Sequence, residues 1–145
     1  MEEGKDVIII HPFDSVSFSD QAKLLEKFFN KQGYDVKRLD YNKFKSHFVV
    51  ARRTKPNITI HINEYCHDTI AFSEKWLNNY RTNLGIAWLD VIGYASFNIT
   101  TQLLARRITI FSNSYWGKEC LSKNNIFVEK VVWHGIDYEK FKGAR

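Results

Sequence analysis

Along the chain, unbroken apolar runs alternate with stretches whose apolar residues recur every three or four positions. Asp6-Val7-Ile8-Ile9-Ile10-His11 is a continuous β-branched run, the pattern of a strand buried on both faces of a parallel sheet. Pro12 removes a backbone donor and ends it. From about Ser19 to Lys31, Ala22, Leu25, Phe28 and Phe29 recur at helical spacing. Ser17 or Ser19 is placed to cap that helix, and Gly33 follows its end, where a left-handed residue is wanted. Tyr34 to Leu39 then alternates as a second strand. Strand, helix and strand in such close succession make a βαβ unit, which winds right-handed into a parallel sheet.

The alternation continues to the end. Asn57 to Ile62 reads as a third strand, and Asp68 to Tyr80 as a helix with Phe72, Trp76 and Tyr80 on one stripe. Leu84 to Leu89 is a fourth strand, residues 96–106 are helical, and Arg107 to Phe111 is a fifth strand. Tyr115 to Lys123 forms a helix weakened by Gly117, Lys130 to His134 a sixth strand, and Tyr138 to Phe141 starts a last helical turn. The expected fold class is therefore α/β: a Rossmann-like, open, mostly parallel sheet with helices on both faces, formed by residues 1–145 as a single domain. Ligands of such sheets bind in the crevice outside the carboxyl ends of the strands. The polar residues at those ends are His11, Asn63 with Glu64, Asp90, Ser112 with Asn113, and His134.

Composition narrows the class without choosing a function. The 145 residues are 44% hydrophobic and 15% aromatic, with 2 Pro and 7 Gly, which is the make-up of one globular domain. Two cysteines, Cys66 and Cys120, cannot supply a disulfide framework. No apolar run approaches the roughly 20 residues of a membrane-spanning helix. The acidic start Met1-Glu2-Glu3 is unlike a secretory signal, so a cytoplasmic protein is expected, with peripheral membrane contact left open. The net charge of +5 favours anionic partners, but the basic residues are spread out, as on a solvated face.

Residues 108–141 carry a resemblance. They run Ile-Thr-Ile-Phe-Ser, then through Leu121 and Asn125-Ile126, to Val131-Val132-Trp133-His134-Gly135-Ile136-Asp137 and Phe141. This resembles the end of the N-terminal domain in family 4 glycosyltransferases of GT-B fold. There a strand ends in Ser, a helix ends in a Leu…Gly/Asn-Ile turn, and a strand runs into His/Asn-Gly-Ile/Val-Asp followed by Phe. The resemblance implies half of a GT-B fold, the half that binds the acceptor. It implies transfer of a sugar, a hexosyl group, from a nucleotide sugar to a glycan, lipid or protein acceptor. No metal or other cofactor is implied, and the nucleotide sugar enters as co-substrate. The donor is held by a C-terminal donor-binding domain or subunit that carries a Glu-x7-Glu motif, and no such pair occurs here. A second departure is the loop Pro12 to Ser17, which has no glycine where many relatives approach the donor diphosphate.

Asp90, at a strand end, could orient an acceptor hydroxyl or take its proton, and His134 is the second catalytic candidate. The same carboxylate would also serve as a helix cap, and His134 would equally brace the tight turn that Gly135 permits. Asn63, Glu64, Ser112, Asn113 and Trp116 are the candidate acceptor contacts, Trp116 through its ring face. His11, Asp14, Gly135 and Asp137 belong to the loops of the cleft, with Asp137 a cap for the last turn. His61, Cys66 and His67 match no standard zinc spacing, so no metal is expected. The alternative function is a non-catalytic Rossmann-like module that binds a nucleotide, a nucleic acid or a protein. Nucleic acid is disfavoured because no RNA-binding motif is present.

Overall fold

The computed structural model describes residues 6–44, 57–64, 66, 69–73, 75, 84–90, 102 and 108–135. The elements are β1 (Asp6–His11), α1 (Val16–Lys31), β2 (Asp35–Asp40), α2 (Tyr41–Phe44), β3 (Ile58–Glu64), β4 (Leu84–Asp90), β5 (Thr109–Ser112), α3 (Tyr115–Lys123) and β6 (Lys130–Val131). All six strands run parallel in one sheet of order β2-β1-β3-β4-β5-β6. This is a Rossmann-like α/β sheet, and the order reverses direction between β1 and β3.

Alternation along the strands divides the core between two faces. On one, Val7, Ile9, Ile60, Ile62 and Trp88 pack against Phe18 and Ala22 of α1, with Leu25 and Phe29 beside them. On the other, Ala87, Leu89 and Ile110 meet Leu121 of α3 and the loop residues Ile126 and Val128. Ile8 and Ile10 on that face pack against Phe72. Helices thus cover both faces; β1 buries both of its rows, which is why it reads as a continuous apolar run, whereas β2 leaves Asp35 and Lys37 exposed and reads as alternation.

The helix ends follow from backbone chemistry. At the end of α1, Gly33 takes a φ of 88°, which lets the Tyr34 N–H reach back to the Phe29 carbonyl at 3.0 Å. α3 ends the same way, with Asn125 at a φ of 60° and the Ile126 N–H donating to Leu121 O at 3.0 Å. That left-handed asparagine turns the chain so that Ile126 is buried beside Leu121.

Several expected boundaries move. α1 begins at Val16, with Ser15 as its N-cap, so Ser17 and Ser19 lie inside the helix. Ser19 does not cap; its hydroxyl lies 3.2 Å from the carbonyl of Phe13. β6 stops at Val131, because the segment after it is drawn off the sheet by side chains described below. Gly135 does not adopt a positive φ, so the expected tight turn is not what it supplies. Among the expected helices, 69–73 is helical, while most of 96–106 and the turn from Tyr138 to Phe141 lie outside the described residues, as do Trp76, His67 and Asp137.

Candidate strand-end site

The register brings the strand ends level along one edge: Asn63 lies beside Leu89, Glu64 beside Asp90, Leu89 beside Ser112 and Ser112 beside Val131. Alternation then decides which side chains meet. Trp88 belongs to the α1 face, and Asp90, two residues on, shares it. Past Val131 the chain crosses to that same face. The Trp88 indole N–H donates to Val132 O at 2.8 Å. Gln21 of α1 grips the Gly135 peptide from both sides: its amide donates to Gly135 O at 2.8 Å, and its oxygen accepts the Gly135 N–H at 2.8 Å. Between these two anchors sits His134, its ring edge-on to Trp88 at 5.1 Å and to Phe18 at 6.3 Å.

Three of the expected residues therefore come together: Asp90, Asn113 and His134. The Asn113 amide nitrogen lies 3.5 Å from His134 Nε2, a long contact, and Asn113 Oδ1 is buried with no hydrogen-bond partner. Burial holds the His134 imidazole below the usual histidine range, and the Asp90 carboxylate draws it part of the way back. The result is a neutral imidazole beside a carboxylate at a strand end, with an unsatisfied amide against it. Tyr115, at the start of α3, and Trp133, after β6, are 67% and 60% exposed, with ring centroids 5.7 Å apart.

Other expected residues are used elsewhere. Asn63 and Ser112 are buried on the opposite face. Asn63 Oδ1 accepts the Glu64 N–H at 2.8 Å, and its amide nitrogen lies 3.3 Å from His61 Nε2. Ser112 Oγ donates to Ser114 O at 2.9 Å, which shapes the turn into α3. Ser114 then caps that helix by accepting the Gly117 N–H at 2.9 Å. Glu64 is exposed at the edge, and Trp116 is 47% exposed on α3.

The β1–β2 end is filled by its own side chains. His11 is fully buried, with Nδ1 3.3 Å from Pro12 O and Nε2 3.4 Å from Arg38 Nη1. Arg38 only donates, so His11 must accept at Nε2 and carry its proton on Nδ1. Burial first, and the Arg38 charge as well, lower its pKa. Arg38 also pairs with Glu26 at 2.9 Å, and its guanidinium lies 5.5 Å from the centre of the Phe13 ring. Asp40 Oδ1 accepts the N–H groups of Phe13 and Asn42, each at 3.2 Å, and Asp14 accepts from the Asn42 side chain at 3.1 Å.

Among the described residues no three His, Cys, Asp or Glu side chains are grouped to hold a metal ion. His61 is turned into the core toward Ser73, and Cys66 is exposed. No described helix is long and apolar enough to cross a membrane. Gln21 was not singled out for the site from sequence. Gln21 could have been found only as a polar residue on an otherwise apolar helix stripe, next to Ala22. In comparison with known proteins, the chain matches no family model, no curated protein and no solved structure.

Proposed function

We propose that this domain is the acceptor-binding half of a glycosyltransferase, with the reacting hydroxyl held at the strand-end group of Asp90, Asn113 and His134. The observation that carries the reading is the side-by-side placement of a neutral, half-buried His134 and the Asp90 carboxylate on one face of that edge. The resemblance of residues 108–141 to family 4 glycosyltransferases supplies the reaction class.

In this reaction the acceptor oxygen bonds to the anomeric carbon of the sugar. The carbon–oxygen bond to the nucleotide diphosphate breaks, and the departing phosphate keeps the electron pair. The acceptor proton goes to the imidazole, which is available because burial keeps it neutral near pH 7. Asp90 stabilises the imidazolium as it forms and fixes the ring. Gln21 and Trp88 position His134 through the backbone on either side of it. The nucleotide sits on a second, donor-binding unit, since the β1–β2 end here is occupied by its own side chains.

The reading is tested by assaying the intact coding product with radiolabelled UDP- and GDP-sugars. Transfer is expected, and Asp90→Asn and His134→Ala should each lower kcat by about 10²–10⁴-fold. Absence of transfer by the intact product, or full activity in both variants, would sink it.

A further inference from the structure

His11 ends β1 fully buried, and its partners admit only one protonation state. Its Nε2 lies 3.4 Å from Arg38 Nη1, and a guanidinium only donates, so Nε2 must keep its lone pair. Its Nδ1 faces Pro12 O at 3.3 Å, which only accepts, and Ser19 Oγ at 3.5 Å. The same guanidinium covers the Phe13 ring, 5.5 Å from its centre, and that ring packs on His11 with centroids 4.7 Å apart. His11, Arg38 and Phe13 thus close one another in at the ends of β1 and β2. A second proton on His11 has no place in this arrangement. It would set an Nε2–H against an N–H of Arg38, with a positive charge on each side. Arg38 has somewhere to go. Its side chain is 26% exposed, and its Nε donates at 2.9 Å to Glu26, itself 33% exposed, so the guanidinium can swing outward with its partner.

Charged and titratable groups surround His11 from every element packed on it. Arg38 and Asp40 come from β2, Lys23 and Glu26 from α1, His61 from β3, and Asp14 from the loop before α1. No carboxylate among them is placed to hold the added proton. Asp40 Oδ1 accepts the Phe13 and Asn42 N–H groups, Asp14 accepts from the Asn42 side chain, and Glu26 is taken by Arg38. Burial keeps His11 uncharged near neutral pH, and the Arg38 and Lys23 charges add to it, while the Pro12 carbonyl and Asp40 work the other way. His61, lowered to about 3, stays neutral throughout the range in which His11 titrates.

From this cluster we infer that His11 and Arg38 form an acid-released catch: a proton arriving on His11 drives the Arg38 guanidinium off the imidazole and off the Phe13 ring, and opens the β1–β2 end of the edge. The catch lies at the other end of the edge from Asp90 and His134, so it operates whether or not sugar transfer occurs there. The test is NMR on the 145-residue chain as the pH is lowered from about 8 until the circular dichroism of the fold is lost. The His11 ring protons report its charge, and the Arg38 Nε–H and Phe13 ring signals report the catch. All three should move with one midpoint below 6.5 while the circular dichroism holds. Arg38→Met removes the opposing charge, so the His11 midpoint should rise by about one pH unit, and Phe13 should no longer follow it. Asp40→Asn removes an attracting charge and should lower the midpoint, which keeps the sign of the coupling measurable if Arg38→Met does not fold. His11→Gln should leave Arg38 and Phe13 without a response. Arg38 and Phe13 signals that stay in place while His11 titrates would overturn the catch. So would a His11 midpoint that neither variant shifts, or loss of the fold with His11 still neutral.

Discussion

His61 shows how a histidine next to candidate ligands becomes part of the core. It is fully buried between Tyr41, stacked at 5.0 Å, and Phe72 at 5.3 Å. Ser73 donates its proton to Thr69 O at 2.9 Å, so its oxygen is left to accept from His61 Nδ1 at 2.7 Å. Asn63 donates to Nε2, and only the neutral Nδ1–H tautomer satisfies all of these bonds. Burial, with the neighbouring His11 charge adding to it, lowers the His61 pKa to about 3. Below the ordinary value of 6.5 the unfolded chain therefore binds a proton that the folded chain refuses. Stability should fall as pH drops from 6.5 toward 5, approaching about 1.4 kcal/mol per pH unit for this residue. Urea unfolding at several pH values in that window measures the slope. His61→Phe should flatten it by that amount, whatever its own stability, with His11 and His134 left to supply the remainder. An unchanged slope would mean that His61 is protonated in the fold.

Among elements, the joint between α1 and the segment after β6 is set by one side chain. Gln21→Ala removes both bonds to the Gly135 peptide and should cost about 1–3 kcal/mol, lowering the unfolding midpoint by several degrees. Gln21→Glu keeps the acceptor for the Gly135 N–H but loses the donor to its carbonyl, so it should fall between. Thermal unfolding ranks the three proteins, and hydrogen exchange at the Gly135 amide should speed up in the same order. This joint also marks where sequence reading stopped. The order of strands and helices was legible because β1 is apolar on both rows, β2 alternates, and α1 and α3 end in residues suited to positive φ. The Tyr115–Lys123 helix matches its expected limits. The site was only half legible. Strand ends can be read from sequence, but the face each side chain takes depends on register, which sent Asn63 and Ser112 to the side away from His134. A bond joining residues 21 and 135 leaves no local trace, and Trp133 reads as a strand residue until Trp88 and Gln21 pull the chain off the sheet.

At the scale of the molecule, the two ends of the strand-end edge are chemically different. The β4–β5–β6 end holds an unsatisfied amide and open aromatic surface. The β1–β2 end, next to the reversal of strand order where such sheets commonly take nucleotides, is internally paired. Arg38 is matched by Glu26 and directed at His11, and Asp40 is held by two backbone N–H groups. A diphosphate arriving there would have to break the Arg38–Glu26 pair and approach Asp14, Glu26 and Asp40, which repel it. The loop between β1 and α1, from Pro12 to Ser15, has no glycine to bring backbone N–H groups close to a phosphate. This domain alone should therefore bind UDP, GDP and ADP no more tightly than millimolar, a standard free energy of about −4.1 kcal/mol. Two-dimensional amide NMR checks this by location as well as strength: nucleotide should leave the Phe13, Arg38 and Asn42 signals in place. Micromolar nucleotide binding with shifts at residues 12–15 would reverse the division of labour. It would make this edge a nucleotide-binding module, with the β4–β5–β6 end secondary to it.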